Sequence, residues 1–329
     1  MPLYQTKTGT DIDEAIKHLE RGDLVAIPTE TVYGLAANAY SEKAVEKIFT
    51  VKRRPATNPL IVHVDRIAEV KAIVRDMPET AELLLEHFAP GPITLLLPKN
   101  ALIPGIVNAG RVDVAIRIPS HPVTLELLRR LDFPLVAPSA NLFGTISPTM
   151  PEHVLKNFDG QIPYILDGGA CEVGIESTVV GFEKDGTPLI FRQGAITAEE
   201  IRRVTGKIGA RGNQGGASPG LLPFHYSPTT PLLLTTGIEA ALSRYEHKRV
   251  GLLSFSQLYP GLPRHHQFVL SPQRNLAEAA RNLYRGLHYL DELQLDVLLA
   301  EQLPDTGLGR ALNDRLQKAS FQYMPGRTV

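Results

Sequence analysis

Several things are scarce in this chain of 329 residues. It has one cysteine, Cys171, and no tryptophan. A single cysteine excludes a disulfide framework and any multi-cysteine zinc site, and it fits a reducing compartment. No apolar run approaches the ~18–20 residues needed to span a bilayer. The N-terminal stretch Met1-Pro2-Leu3-Tyr4-Gln5-Thr6-Lys7 lacks the apolar core of a secretory signal. The expectation is therefore a cytoplasmic protein with no membrane partner. The net charge is −1, so a generic polyanion wrapper is excluded. Hydrophobic residues at 43% and charged residues at 21% exclude disorder as the main state.

What is present divides in two. At roughly 100–200 residues per domain, two domains are expected. Gly206–Gly220 contains six glycines and little to bury, the composition of a connector. The expected division is 1–206 for a first domain, 207–230 for a linker and 231–329 for a smaller domain. Residues 1–206 carry 21 Lys and Arg against 26 Asp and Glu, a net of −5, and the remainder carries 13 against 9, a net of +4. Cations that matter in the first part must therefore be locally concentrated.

Periodicity predicts alternating helices and strands. In the first part, Thr10-Asp11-Ile12-Asp13 has the form of a capping box ahead of the stripe Ile12, Ala15, Ile16, Leu19. Leu24–Ile27 and Leu60–Val64 have the composition of buried strands. Further strands are expected at 94–97, 112–118, 134–137, 177–180 and 188–191, and helices at 79–88, 123–131 and 197–204. In the second part, strands are expected at 231–234, 250–255 and 297–300, and helices at 276–293 and 311–320. This alternation implies an α/β or α+β sheet covered by helices, followed by a small open α/β sheet.

The familiar nucleotide fingerprints are missing: neither G-x-x-x-x-G-K-[ST] nor G-x-G-x-x-G occurs. Gly216-Ala217-Ser218-Pro219-Gly220 matches G-x-S-x-G formally, but it lies in the glycine-rich connector rather than at a strand–turn–helix elbow. Three other stretches carry chemistry. Ile27-Pro28-Thr29-Glu30-Thr31-Val32-Tyr33-Gly34-Leu35 sets hydroxyls beside a glycine after a strand, suited either to a small polar ligand or to a capped turn. Lys52-Arg53-Arg54-Pro55-Ala56-Thr57-Asn58-Pro59 sets three cations in a proline-bounded loop. Those cations suit phosphate oxygens, a solvated basic loop or an RNA patch equally. Ala137-Pro138-Ser139-Ala140-Asn141 offers small donors after a buried strand, or an ordinary turn. Arg117 and Arg192 each end an apolar strand pattern, where an unpaired guanidinium would be costly. His63 lies inside an apolar strand and reads first as a core residue. Cys171 has no nearby activating base and reads as a small buried residue.

Taken together and in order, Pro-Thr-Glu-Thr-Val-Tyr-Gly-Leu, the Lys-x-Arg-Pro loop running into Asn-Pro-Leu, Arg117 in Val-Ala-Ile-Arg-Ile-Pro, Ser-Ala-Asn, Ser-Pro-Thr and Glu-Ser-Thr-Val-Val resemble the YrdC-type L-threonylcarbamoyl-AMP synthases over residues 8–206. Ser218-Pro219-Gly220 with His225-Tyr226, and Asn313-Asp314-Arg315-Leu316 after Gly307-Leu308-Gly309, resemble the long, two-domain (Sua-five type) form. The resemblance implies a YrdC-like twisted mixed sheet around a concave groove, plus a smaller Rossmann-like domain. It implies a nucleotidyltransferase that makes threonylcarbamoyl-AMP and pyrophosphate from L-threonine, bicarbonate or carbon dioxide, and ATP with Mg2+. The product would feed the machinery that transfers threonylcarbamoyl to adenosine 37 of tRNAs reading codons that begin with A.

In the terms of that family, Thr31, His63, Arg117, the Ala137 backbone and Ser177 would hold threonine. Lys52, Arg54, Asn58, Asp113 (through its backbone), Ser139, Ser147, Arg192 and Tyr226 would hold ATP. Asn141 completes the Ser-Ala-Asn signature of the ATP set, and Lys52 and Arg54 would be catalytic. No protein metal ligand is expected. Phe143, Gln193, Leu221 and Ser227 depart from the common pattern without removing a charged or hydroxyl ligand. Two other readings compete: an RNA-binding module, with a weak RNA contact at the basic loop, and a carbamoyltransferase-type YrdC domain. No stacking-aromatic motif supports the former, and no attached acylphosphatase or zinc-finger segment supports the latter.

Overall fold

A computed structural model describes residues 3–209 and 225–320. It separates into two compact units. The second takes in 144–147 and 173–175 along with the C-terminal part of the chain. The connector residues 210–224 lie outside the described residues.

The first unit opens with β1 (Lys7–Gly9), α1 (Ile12–Glu20), β2 (Val25–Ile27), β3 (Gly34–Asn38), α2 (Glu42–Lys52) and β4 (Ile61–His63). It continues through α3 (Ile67–Ile73), α4 (Glu79–Phe88), β5 (Ile93–Pro98), β6 (Asp113–Arg117), α5 (Pro122–Arg130) and β7 (Leu135–Val136). It closes with α6 (Pro151–Phe158), β8 (Tyr164–Leu166), β9 (Thr178–Phe182), β10 (Pro188–Arg192) and α7 (Ala198–Thr205). Its strands form one mixed sheet in the order β1-β8-β2-β3-β7-β4-β6-β5-β9-β10.

Local chemistry explains the helix ends. The N-cap of α1 is Asp11, whose carboxylate accepts from the backbone N–H groups of Asp13 and Glu14. It is not Thr10, because an aspartate one residue later reaches both orphan amides at once. A true capping box occurs at Thr197 and Glu200 of α7, which ends at Gly206 in a left-handed conformation. Helix α2 ends at Arg53, which takes the left-handed conformation (φ 52°) without being glycine. That cap reverses the chain and turns Arg54 inward.

The two faces of the sheet differ, and strand register shows why. Residues paired across neighbouring strands share a face. Leu35, Ala37, Val62, Leu95, Val114, Ile116, Val136 and Val180 all point one way, into a core completed by Ala44, Val45, Ile48 and Phe49 of α2 and Ala81, Leu84 and Leu85 of α4. On the opposite face, Val25, Ile27, Ala36, Leu135 and Ala137 pack under α1 and α5. Further along, that same face carries the separate apolar cluster Ile61, Leu96, Ala115, Val179, Leu189 and Phe191. His63, Arg117, Thr94 and Ser177 extend this same face.

The second unit contains β11 (Leu232–Thr235), α8 (Ile238–Arg244), β12 (Val250–Ser254), β13 (Gln267–Val269), α9 (Leu276–Glu292), β14 (Val297–Glu301) and α10 (Leu308–Ser320). Its sheet is wholly parallel, in the order β11-β14-β12-β13. Strands of this kind are buried on both faces and read as apolar runs, which is how Val297-Leu298-Leu299-Ala300 betrays β14. Among the described residues, no helix is long and apolar enough to cross a membrane.

Candidate active site

His63 pairs with Arg117 across β4 and β6, and with Leu135 across β4 and β7. His63 and Arg117 therefore stand side by side at the carboxyl ends of two parallel strands, where open α/β sheets place ligands. Thr94 pairs with Val179, which puts Thr94 and the preceding Ser177 on the same face, and their hydroxyls share a 2.7 Å hydrogen bond. Arg192 joins them through an irregularity. The register of β10 on β9 slips between Ile190 and Arg192, so that Arg192 opposes Val179. Without this bulge, simple alternation would send Arg192 to the opposite face. Its Nη2 donates to the Ser177 carbonyl (3.0 Å) and hydroxyl (3.1 Å), and its Nε to the same carbonyl (3.1 Å). Gly194 allows the close approach, since a Cβ there would sit 2.4 Å from backbone atoms of Glu176 and Ser177.

Arg117 is buried, as is its partner Glu30 (4% and 5% exposed). Its Nη2 donates to Glu30 Oε1 at 2.6 Å, and Glu30 Oε2 accepts from the backbone N–H of Ser120 at 3.1 Å. The Arg117 Nε is buried and has no hydrogen-bond partner among the described residues. A buried guanidinium N–H of this kind calls for an acceptor beyond the described residues. Glu30 lies inside the Pro-Thr-Glu-Thr motif, where the linear pattern draws attention to the hydroxyls instead. Its neighbour Thr31 is fully buried, and its hydroxyl shares a 2.9 Å hydrogen bond with Thr29.

The His63 imidazole is neutral. Burial, reinforced by the Arg117 charge, pushes its pKa down to about 3. Its Nδ1–H donates to the Ile61 carbonyl (3.1 Å), which leaves Nε2 as an acceptor. The sign of the linkage follows. Below its ordinary pKa of about 6.5 this imidazole takes up a proton in the unfolded chain but not in the folded one. The stability it contributes is therefore complete above pH ~6.5 and is lost progressively down to pH ~3. Wild type should lose stability relative to His63→Asn on acidification from pH 7 to 4, by on the order of a few kcal/mol in chemical denaturation. A pH-independent difference would remove His63 as the titrating group.

A second group forms around the end of α2. Lys52 is buried, and its Nζ donates to the carbonyls of Ser139 (2.5 Å) and Asn141. Burial first, and the Arg54 charge second, hold its amine well below the usual lysine range. Arg54 Nε donates to the Asn58 carbonyl (3.2 Å) and Nη2 to the Pro59 carbonyl (2.8 Å). Its guanidinium lies 5.9 Å from the centre of the Phe143 ring. Ser139 Oγ donates to Asn141 Oδ1 at 2.5 Å. Lys52, Ser139 and Asn141 form one hydrogen-bonded set and Arg54 with Asn58 a second, and Phe143 joins them: its N–H donates to the Lys52 carbonyl (2.9 Å) and its ring faces Arg54. Of the three consecutive cations only Arg53 is exposed, so the loop is not a solvated basic patch.

The remaining candidates fall elsewhere. Ala137 links the two groups, with its N–H donating to the Ile61 carbonyl (3.1 Å). Asp113 begins the strand that Arg117 ends, about 13 Å away at ~3.3 Å per residue, and its carbonyl accepts from Asn108 Nδ2 (3.0 Å). Ser147 and Tyr226 belong to the second unit. Cys171 is buried and its thiol is pushed up to about 12, as fits a packing residue. Among the described residues, no group of three or more His, Cys, Asp or Glu side chains could hold a metal ion.

Comparison with known proteins identifies relatives. The Sua5–YciO–YrdC family model, described as "Telomere recombination", matches residues 17–194. A model described as "Threonylcarbamoyl-AMP synthase, C-terminal domain" matches residues 196–320. The threonylcarbamoyl-AMP synthase of Pyrococcus abyssi is 39% identical over 318 residues, covering 92% of each chain. That of Bacillus subtilis is 41% identical over 322 residues, covering 94% of this chain and 92% of its own. The crystal structure of P. abyssi Sua5 complexed with L-threonine superposes with a TM-score of 0.87 at 37% identity, covering 96% of both chains.

Proposed function

Because this chain belongs to the threonylcarbamoyl-AMP synthase family, and is an enzyme of the nucleotidyltransferase type, we propose that it condenses L-threonine, carbon dioxide or bicarbonate, and ATP into threonylcarbamoyl-AMP and pyrophosphate. The observation that carries the reading is the buried Arg117, whose Nε has no acceptor among the described residues, beside a His63 kept neutral by burial and on the sheet face that carries the Ser177 hydroxyl. A guanidinium with a spare N–H suits a carboxylate. An imidazole lone pair and hydroxyls suit the amine and side chain of a small polar amino acid. The relative crystallised with L-threonine supports the choice of amino acid.

The chemistry asks little of a nucleophilic side chain. The threonine nitrogen adds to carbon dioxide and loses a proton. A carbamate oxygen then attacks the α-phosphorus of ATP in line, the new P–O bond forms, and the bond to the bridging oxygen breaks to release pyrophosphate. Catalysis of such a displacement is mainly positioning and stabilisation of charge. Arg54, Asn58, Ser139 and Asn141 are the nucleotide group in this scheme. Lys52 holds the Ser139–Asn141 turn from behind through its two carbonyl contacts. Arg192, bonded to Ser177, would stand where the two substrates meet. Magnesium would come with ATP as part of that substrate. The product would serve threonylcarbamoyl transfer to adenosine 37 of tRNA, in the cytoplasm.

Incubation of the purified chain with ATP, magnesium, threonine and bicarbonate should yield an adenylate of the mass of threonylcarbamoyl-AMP. That mass should be absent when threonine is omitted or replaced by valine. Pyrophosphate release without the adenylate, or independent of threonine, would overturn the proposal.

A further inference from the structure

Arg315 is fully buried in the second unit, on the otherwise apolar stripe Ala311, Leu312, Leu316 and Ala319 of α10. Leucine would pack there at far smaller desolvation cost. Its ion-pair partner Asp314 (Nη1 to Oδ2, 3.0 Å) is about one-third exposed and is shared with Lys318 at 2.9 Å. The Arg315 Cζ lies 5.6 Å from the centre of the Tyr226 ring. The Tyr284 ring of α9 lies 5.6 Å from Tyr226 at an interplanar angle of 33°, and His225 meets it edge-on at 4.2 Å. Tyr226 itself has φ of +65°, a backbone state that a bulky residue keeps only when its surroundings fix it.

The same helix reaches the other nucleotide candidate of this unit. One turn beyond Tyr284, and so on the same face of α9, the His288 Nε2 hydrogen bonds the Ser147 carbonyl at 3.1 Å. The Ser227 N–H donates to the Gly144 carbonyl (2.8 Å), which ties the two segments together.

We propose that Arg315 and Tyr284 are positioning residues that fix the Tyr226 ring for the nucleotide, and that His288 does the same for the segment ending at Ser147. The proposal rests on the reading that Tyr226 and Ser147 contact ATP.

The test measures KM for ATP and for threonine separately in the full-length enzyme, with thermal unfolding alongside. Tyr226→Ala, Arg315→Met, Arg315→Lys, Tyr284→Leu and His288→Ala are compared. Arg315→Met and Tyr284→Leu should each raise KM for ATP about tenfold, with KM for threonine changed by less than about twofold. Arg315→Lys keeps the charge without the planar group and should fall between wild type and Arg315→Met. If Arg315→Met does not fold, the Tyr284→Leu and His288→Ala variants decide by the same split. A rise in KM for ATP after Tyr226→Ala, with none after the Arg315 and Tyr284 changes, would overturn the positioning role alone. No rise after Tyr226→Ala would overturn the nucleotide reading of Tyr226 itself. Parallel rises in both KM values that track lost thermal stability would mark a merely structural role and also overturn the proposal.

Discussion

Arg117→Met should abolish threonine-dependent adenylate formation, with a fall in kcat/KM for threonine of at least about 10²-fold. Two effects combine. The substituted side chain has no N–H for a carboxylate, and the buried Glu30 carboxylate loses its 2.6 Å partner. Removing one member of a buried pair is destabilising by roughly 3–5 kcal/mol, because a charge is left in the interior. The single variant therefore confounds binding with stability, and the double variant Glu30→Gln/Arg117→Met separates them. Neutralising Glu30 should restore much of the unfolding free energy while leaving threonine turnover at the single-variant level. Recovery of turnover together with stability would show that Arg117 acts only as the structural partner of Glu30, and the threonine reading of this face would fall.

The pairing of Glu30 with Arg117 also marks a limit of what the linear pattern discloses. The strand patterns around 25–27, 61–63, 93–98 and 113–117 were legible because burial on both faces leaves apolar runs with few interruptions. His63 and Arg117 stood out as polar interruptions of those runs. Their adjacency was not legible, because register is a tertiary property: the pairing of residue 63 with residue 117 follows from a parallel crossover that no local window contains. Glu30 lay in a motif read for its hydroxyls, and nothing nearby in sequence announces a guanidinium 87 residues away.

Arg192 illustrates the same limit more sharply. Simple alternation along 188–192 gives its side chain to the wrong face, and only the slip after Ile190 returns it to Ser177. The short strands Gly34–Asn38 and Tyr164–Leu166, and the helix Pro151–Phe158, leave no clear sequence pattern for a related reason. Each is too short or too mixed in composition to beat the turn signals beside it. The basic loop left three readings open in the sequence. Three consecutive cations suit phosphate oxygens, a solvated loop or an RNA patch alike, and the left-handed cap at Arg53 divides them, so Lys52 and Arg54 turn inward while Arg53 is the exposed one of the three.

That division makes the second large effect specific. Arg54→Ala should lower ATP-to-pyrophosphate turnover by on the order of 10²–10³-fold while the chain still folds. The guanidinium spans the carbonyls of Asn58 and Pro59 and lies against Phe143. Through those contacts it shapes the 54–59 loop as well as contributing charge. Arg54→Lys preserves the charge but cannot make both carbonyl bonds in one plane. It should therefore recover only a small part of the lost rate. If charge alone mattered, lysine would restore most of it. The outcome to look for is a defect concentrated in kcat and in KM for ATP, with threonine binding by calorimetry unchanged, because Arg54 belongs to the network around Lys52 and not to the His63–Arg117 face. Near-wild-type pyrophosphate release by Arg54→Ala would remove this loop from the nucleotide machinery. Loss of threonine binding instead would mean that the two groups of residues do not divide the substrates between them.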